Sequence, residues 1–421
     1  MVLEIRLSNF YSIKDEITLD LRAGNIQTKQ AKELSANVFN FKNTKVVKTV
    51  AMYGANASGK TNIVKAIRFC NMMVLQSHNH NEDAVFNFVP FKFEGYPEKP
   101  SSYFIRFVSK GIEYEYSFSL TRTEIITESL YFYPKGRIAK IFVRDETAGK
   151  TKKEKYNFGS FIKRPFDVAE NTSNKTLYIS RASQMDREIP KMIFNFFNSK
   201  FLNNIILFDD TKLEVLFNEY KNDLIRGLQI ADSDIVDLQI KKEVGNELKV
   251  DFKTEDDKLS FTNISDTRKE IIRFISYHKR DKNIAFDFRS EESDGTKKMF
   301  VMLLTILSVV KNNGILLIDE FEEKLHSHIA EFILKLFNLS DNAQLIFTTH
   351  NTNLLDLKKL RKDQIYFCNK KEDASTELYS LYDFKDFRDT MDVEKAYLQG
   401  RFDAIPFIND SEENISQLIY E

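Results

Sequence analysis

Residues 50–67 read VAMYGANASGKTNIVKAI, and this stretch limits the fold more than any other in the chain. An apolar run ends at Tyr53. Gly54 follows, then four residues, then Gly59-Lys60-Thr61. Ile63, Ile67, Cys70 and Val74 come next at helical spacing. Strand, glycine-bounded loop and helix, in that order, make a phosphate-binding loop. Its backbone N–H groups wrap phosphate oxygens, and glycine lets the backbone come close. The Lys60 ammonium is expected to reach the β- and γ-phosphates, and the Thr61 hydroxyl to ligate Mg²⁺. Gly54, Asn56, Ser58, Gly59, Lys60, Thr61 and Asn62 are the expected nucleotide-binding residues. A glycine-containing turn can match by chance, but the flanking strand and helix argue against that here.

Three further segments carry chemistry that such a loop needs. GILLIDEFE, residues 314–322, is an apolar run ending in carboxylates, as in a central parallel strand. Asp319 can hold Mg²⁺, and Glu320 can orient and polarise an attacking water. Alone, two acidic residues at the solvated end of a strand are commonplace; downstream of a phosphate loop they become a catalytic pair. In QLIFTTHN, His350 stands at a strand tip, where a neutral imidazole can contact the γ-phosphate. In SEESDGTKK, residues 290–298, Ser293 and Gly295 precede a helix. A hydroxyl and bare N–H groups at a helix N-terminus form a second anion site. The same residues would also serve as a plain helix cap. Since the chain already has a full phosphate loop, this second site is expected to serve a nucleotide on another subunit.

The rest of the chain gives the organisation. Residues 1–22 alternate as a β-hairpin, and residues 46–53 form the strand before the loop. Residues 103–108, 113–120, 125–132 and 137–143 alternate as an antiparallel sheet. The texture changes from about 160 to 285. Helical patterns cover 186–205, 211–229 and 266–280, with strand patterns at 235–241 and 247–253. DQIYFCNK and ELYSLYDF read as two closing strands. The expected division is a first lobe over 1–160, an inserted, mostly helical subdomain over 161–285, a second lobe over 286–370 and a closing segment over 371–421. The formal net charge of -1 provides no global basic field for nucleic acid. Cys70 and Cys368 lie far apart in apolar stretches, which suggests a reducing compartment. No apolar run reaches membrane-spanning length and no signal-peptide pattern is present, so a cytoplasmic protein is expected.

The four segments in this order resemble the head of ABC-type ATPases. LEIRLSNFYSIKD and GANASGKTN are similar to the RecF and SMC branch rather than the transporter branch. The resemblance is closer still to the bacterial AAA ATP-binding proteins of the RloA, AbiL and PARIS AriA kind. It runs through PFKFEGYPEKPSSYFIRFVSKGIEYEYSFSL, ESDGTKK, IDEFEEKLH, QLIFTTHNTNLLD, RKDQIYF and EKAYLQGRFDAIP. It implies an α/β fold: an ABC-type P-loop head with a mixed central sheet, an antiparallel β subdomain and an inserted α+β subdomain. It implies ATP and Mg²⁺ as ligands, and two heads sandwiching two nucleotides, with Ser293 and Gly295 completing the partner's site. It also implies a role in anti-phage defence, a phage trigger, and a separate effector such as a Toprim-type nuclease. Only about seventy residues follow His350, too few for a Toprim domain in this chain. Two other readings are a RecF/SMC-like DNA-binding ATPase of repair and a nucleotide-gated scaffold with little turnover. Near-zero charge and the lack of a long heptad array argue against the first, and the full catalytic set argues against the second. The sequence departs from the family in LHSH, where Leu-His-Pro is usual, and in GRFDA, where Gly-Arg-Tyr-Gly-Ala is usual. Gln76 is the nearest candidate for the glutamine that ABC heads place after the loop.

Several other signals are weaker. SHNHN, in a polar stretch, lacks the spaced ligands of a metal nuclease. HSH at 326–328 lies where the subunit-contact loop is expected and reads as interface. KTKKEKY (150–156) and RKEIIRFISYHKRDK (268–282) are basic and read as solvated faces.

Overall fold

A computed structural model describes the chain apart from residues 203–209, 232, 256–257, 322–325, 389, 407–408 and 421, and the side chains of 210, 245–255, 258–270 and 420. The chain divides into two compact units, residues 1–204 with 309–421, and residues 205–308.

The first unit is built on two sheets. In the antiparallel one, seven strands lie in the order Tyr156–Phe158, Ala139–Asp145, Ile125–Phe132, Ile112–Leu120, Ser101–Ser109, Val2–Ser8, Ile17–Asp20. The expected N-terminal hairpin is its edge, with Ile5 opposite Leu19 and Leu7 opposite Ile17. Strict alternation explains the strands: in IEYEYSFSL, Tyr114, Tyr116, Phe118 and Leu120 are buried while the intervening side chains are more exposed.

The central sheet has six strands in the order Phe201–Leu202, Ile315–Ile318, Gln344–Thr348, Thr49–Gly54, Ile365–Lys370, Thr376–Ser380. The first five are parallel and the last is antiparallel. Thr49–Gly54, Ile315–Ile318 and Gln344–Thr348 are buried throughout, which is why they read as continuous apolar runs. The strand expected over 46–53 breaks at Lys48. Thr44–Val47 pairs with Val38–Phe41 in a small separate sheet, and Thr49–Gly54 enters the central one. The Lys48 ammonium is drawn inward at that break, donating to Asn338 O at 2.9 Å and Ser340 O at 2.5 Å.

A fully buried ion pair fastens the antiparallel sheet to the segment that follows it. Arg144 Nη1 lies 3.6 Å from Glu128 Oε2, with both side chains at 0% exposure. Arg144 also donates to Thr176 O at 2.7 Å and Ser173 O at 2.9 Å. Glu128 accepts from Tyr116 Oη at 2.9 Å and from the amides of Tyr178 and Ile179 at 2.6 and 3.0 Å. Arg144→Met would leave that carboxylate buried and unpaired. It is expected to cost about 3–5 kcal/mol, read as a lower urea midpoint at unchanged m-value.

The second unit contains helix Asp210–Ile230, the paired strands Ile235–Glu255 and Lys258–His278, strand Asp281–Asp287, and the start of helix Asp294–Lys311. Phe274 packs on Phe217 and Phe300 at centroid distances of 5.3 and 5.1 Å. Three expectations are corrected. The strands read at 235–241 and 247–253 are one continuous strand. The helix read over 266–280 is a strand. There Ile272, Phe274 and Ser276 are buried at alternate positions with Ile275 buried beside them, and β-branched Ile271, Ile272 and Ile275 with aromatic Phe274 and Tyr277 suit a pleated surface. The helix read over 186–205 is Glu188–Ser199, followed by strand Phe201–Leu202 of the central sheet. The inserted unit is therefore one long helix against a long hairpin rather than mostly helical. The helices Pro165–Glu170, Tyr178–Gln184 and Glu188–Ser199 belong to the first unit.

Candidate nucleotide site

Ligands of parallel α/β sheets gather at the carboxyl ends of the strands. In the first unit, three such ends bring the expected residues together. Thr49–Gly54 runs into the loop, and helix Lys60–Gln76 leaves it. Glycine is required at two positions. A Cβ at Gly54 would lie 2.4 Å from Cys368 O. Gly59 has φ +104°, and a Cβ there would lie 1.9 Å from Thr376 Oγ1. Lys60 is buried, and its ammonium turns into the loop, donating to Gly54 O at 2.7 Å and Ala55 O at 2.8 Å. Ser58 Oγ is buried beside Gly54 without a hydrogen-bond partner among the described residues, and Asn56 is exposed.

The acidic pair follows the adjacent strand end. Thr61 Oγ1 lies 3.4 Å from Asp319 Oδ1. The Thr61 hydroxyl and the Asp319 carboxylate are the oxygen groups that would hold a Mg²⁺ ion here. Thr348 Oγ1 donates to the same Asp319 oxygen at 2.6 Å and accepts from the Glu320 amide at 2.8 Å. Glu320 itself is exposed and takes φ +52°, a sparsely populated region for a non-glycine residue. Thr348 thus holds the Asp319 carboxylate and the Glu320 backbone at once. His350, also exposed, follows two residues later at the same end of the sheet.

Sequence reasoning missed a brace beneath the loop. Thr376 Oγ1 donates to Ser58 O at 2.9 Å and lies 2.7 Å from Ser12 Oγ, which accepts from Asn62 Nδ2 at 2.8 Å. Ser12 is in the turn of the N-terminal hairpin, and Thr376 opens the last strand of the central sheet. Lys14 joins the same two turns by an ion pair to Asp373 at 2.8 Å. The Asn62 side chain is committed to this brace. Thr348 and Arg68 were also missed. Arg68 lies on the loop helix seven residues beyond Thr61; burial lowers its pKa, and the charge of Asp319 opposes that. The available signals were the Thr-Thr before His350 and the i, i+7 spacing.

Gln76 is set aside as a nucleotide contact. It ends the helix that Lys60 begins, about 24 Å away at 1.5 Å per residue. The two cysteines are buried; burial pushes the Cys368 thiol up to about 12, so neither is a poised thiolate. In SHNHN, His78 Nδ1 meets Ser180 Oγ at 2.9 Å and His80 Nδ1 meets Lys175 O at 3.2 Å. His326 Nδ1 accepts from the His328 amide as a helix cap, while Glu322 and Glu323 lie outside the described residues. The basic stretch 150–156 has Lys152 on Thr172 O and Lys155 on Glu146, at 2.6 and 2.8 Å.

In the second unit, Ser293 and Gly295 are exposed at the start of helix Asp294–Lys311. Ser293 Oγ accepts from the Thr296 amide at 3.1 Å, which is a capping bond. The neighbouring Glu292 is tied to the hairpin by His278, whose Nε2 lies 2.8 Å from it and whose Nδ1 lies 2.7 Å from Asp234. Burial lowers the His278 pKa, but hydrogen bonds to the two carboxylates outweigh it, and the net shift is upward from 6.5. The stabilising link is therefore fully present below pH 6.5 and is lost as pH rises through the folded-state value. An NMR titration of the His278 ring is expected to show this upward shift, and His278→Gln is expected to flatten the stability of the hairpin across that window.

The acidic strand does not neighbour the loop strand; Gln344–Thr348 lies between them. With a phosphate loop, an Asp-Glu strand end, an antiparallel lobe and an inserted α+β unit, the chain has the fold of an ABC-type P-loop head. Residues 50–356 match the family described as AAA domain, putative AbiEii toxin, Type IV TA system, and the chain belongs to that family. No curated protein matches it. Among solved structures it is similar to the SMC head domain from Thermotoga maritima, at 14% identity and TM-score 0.40 over 90% of this chain and 98% of that one. It is also similar to an SmcHead bound to the C-winged helix domain of ScpA, at 14% identity and TM-score 0.41 over 94% and 99%. The family assignment rests on the sequence match, not on these structures. No helix among the described residues is long and apolar enough to cross a membrane.

Proposed function

We propose that this chain binds and hydrolyses ATP with Mg²⁺, that two heads close around two nucleotides, and that closure controls a separate effector in bacterial anti-phage defence. The observation that supports it most directly is the meeting of Thr61 and Asp319, 3.4 Å apart at the mouth of the phosphate loop. Thr61 and Asp319 would hold Mg²⁺ there, and the ion would supply positive charge against that developing on the phosphates. Lys60 binds the β- and γ-phosphates, Glu320 orients the attacking water, and His350 contacts the γ-phosphate. Ser293 and Gly295, exposed at a helix N-terminus, are available to a nucleotide held by another copy. The effector, by the resemblance to RloA, AbiL and AriA proteins, is a nuclease of Toprim type encoded alongside.

The test is a pull-down of the tagged Glu320→Gln protein, expressed from its own operon, with ATP and Mg²⁺. A stoichiometric co-eluting protein encoded next door is expected. Abundant nucleic acid with no protein partner would overturn the effector reading in favour of a DNA-binding repair ATPase.

A further inference from the structure

The segment EKAYLQGRFDA forms the short helix Val393–Leu398 and the turns after it. Val393, Ala396, Tyr397, Phe402 and Ala404 are buried, so the segment is seated in the first unit rather than trailing from it. Phe402 stacks on Phe367 of the central sheet at 4.6 Å and 13°. Asp392 caps the helix by accepting from the Lys395 amide at 3.0 Å.

Two side chains of this helix touch elements that carry the nucleotide site. The Tyr397 ring packs on Tyr53 at 6.1 Å and Phe367 at 5.8 Å. Its hydroxyl donates to Ala404 O at 3.3 Å. One turn earlier, Glu394 Oε1 accepts from Thr352 Oγ1 at 2.6 Å. Thr352 opens the short turn after His350, and Asn351 caps that turn by accepting from the Asn353 amide at 3.1 Å. On the other side of His350, the Thr349 amide donates to Met52 O of the loop strand at 3.0 Å. His350 is thus held between two fixed points, one on the loop strand and one on the helix.

We propose that helix Val393–Leu398 is a positioning element of the nucleotide site, with Glu394 setting the turn that carries His350. Glu394 acts through His350, whose contact is with the phosphate being transferred, so its loss falls on turnover. This rests on the ATPase reading above.

Full-length variants test it by ATP binding and steady-state hydrolysis. Glu394→Ala is expected to leave Kd unchanged and lower kcat about tenfold, with Glu394→Gln, which keeps an acceptor, restoring most of it. Thr352→Val should reproduce Glu394→Ala from the other side of the bond. In a His350→Ala background, Glu394→Ala should cause no further loss. A full tenfold loss in that background would overturn the role assigned to Glu394, as would wild-type kcat in both Glu394→Ala and Thr352→Val. Absence of hydrolysis by the wild-type protein would instead overturn the ATPase reading and, with it, this role of Glu394.

Discussion

Glu320→Gln is expected to lower kcat for ATP hydrolysis about 10²–10⁴-fold while leaving the Kd for ATP within a factor of about two. Glu320 follows Asp319 at the end of a buried strand and is exposed, where a water can reach it. Its amide is fixed by Thr348 Oγ1 at 2.8 Å, and its φ of +52° turns it away from the strand direction. The amide side chain of glutamine keeps the size and loses the basicity, so binding survives and water activation does not. The same protein should accumulate as a closed, ATP-loaded dimer, visible as a doubled mass that requires both ATP and Mg²⁺. Hydrolysis at the wild-type rate would show that Glu320 is not the base. A monomer at saturating ATP would refute closure between heads.

Gly59→Ala is expected to weaken ATP binding at least about 100-fold, roughly 2.7 kcal/mol. Two constraints act together there. The φ of +104° is strained for any residue with a Cβ, and the added carbon would lie 1.9 Å from Thr376 Oγ1 and 2.9 Å from Ser12 Oγ. Relieving the clash pushes the brace away from Ser58 O, or opens the loop beside Lys60. Gly136→Ala separates the two causes, because φ is +75° there and nothing lies within 4 Å of the added carbon. That control should lose about 1 kcal/mol of stability and bind ATP normally. Isothermal titration of both variants decides the matter; equal affinities would mean that the steric contact with the brace is unimportant.

Much of the site was legible in the sequence because its parts are local. A phosphate loop needs a strand end, two glycines and a helix start, all within residues 50–67. An apolar strand ending in Asp319-Glu320 and another ending before His350 carry their positions with them, since a buried parallel strand delivers whatever follows it to the same end of the sheet. The antiparallel lobe was legible for a similar reason: period-two burial in residues 112–120 identifies a half-buried strand without knowledge of its neighbours.

The misreadings occurred where local pattern is ambiguous. Residues 266–280 have apolar side chains close enough to helical spacing to mislead, and only the pairing with Ile235–Glu255 makes them a strand. The contacts made by the side chains of Thr348, Thr376, Ser12 and Glu394 were invisible for another reason. Each acts across a long sequence separation, Thr376 on Ser58 and Glu394 on Thr352, and no short-range period marks such contacts.

The sequence by itself determined the loop, the two acidic residues, the strand-tip histidine and the alternating lobe, because backbone geometry and burial period are set over a few residues. The tertiary structure alone decided what holds them. It placed the hairpin turn and the last strand under the loop, set Thr348 between the Asp319 carboxylate and the Glu320 amide, and seated helix Val393–Leu398 against Thr352. Hydroxyl and carboxylate contacts of this kind are satisfied only when remote strands have taken their order in the sheet, and that order is a property of the whole packed unit.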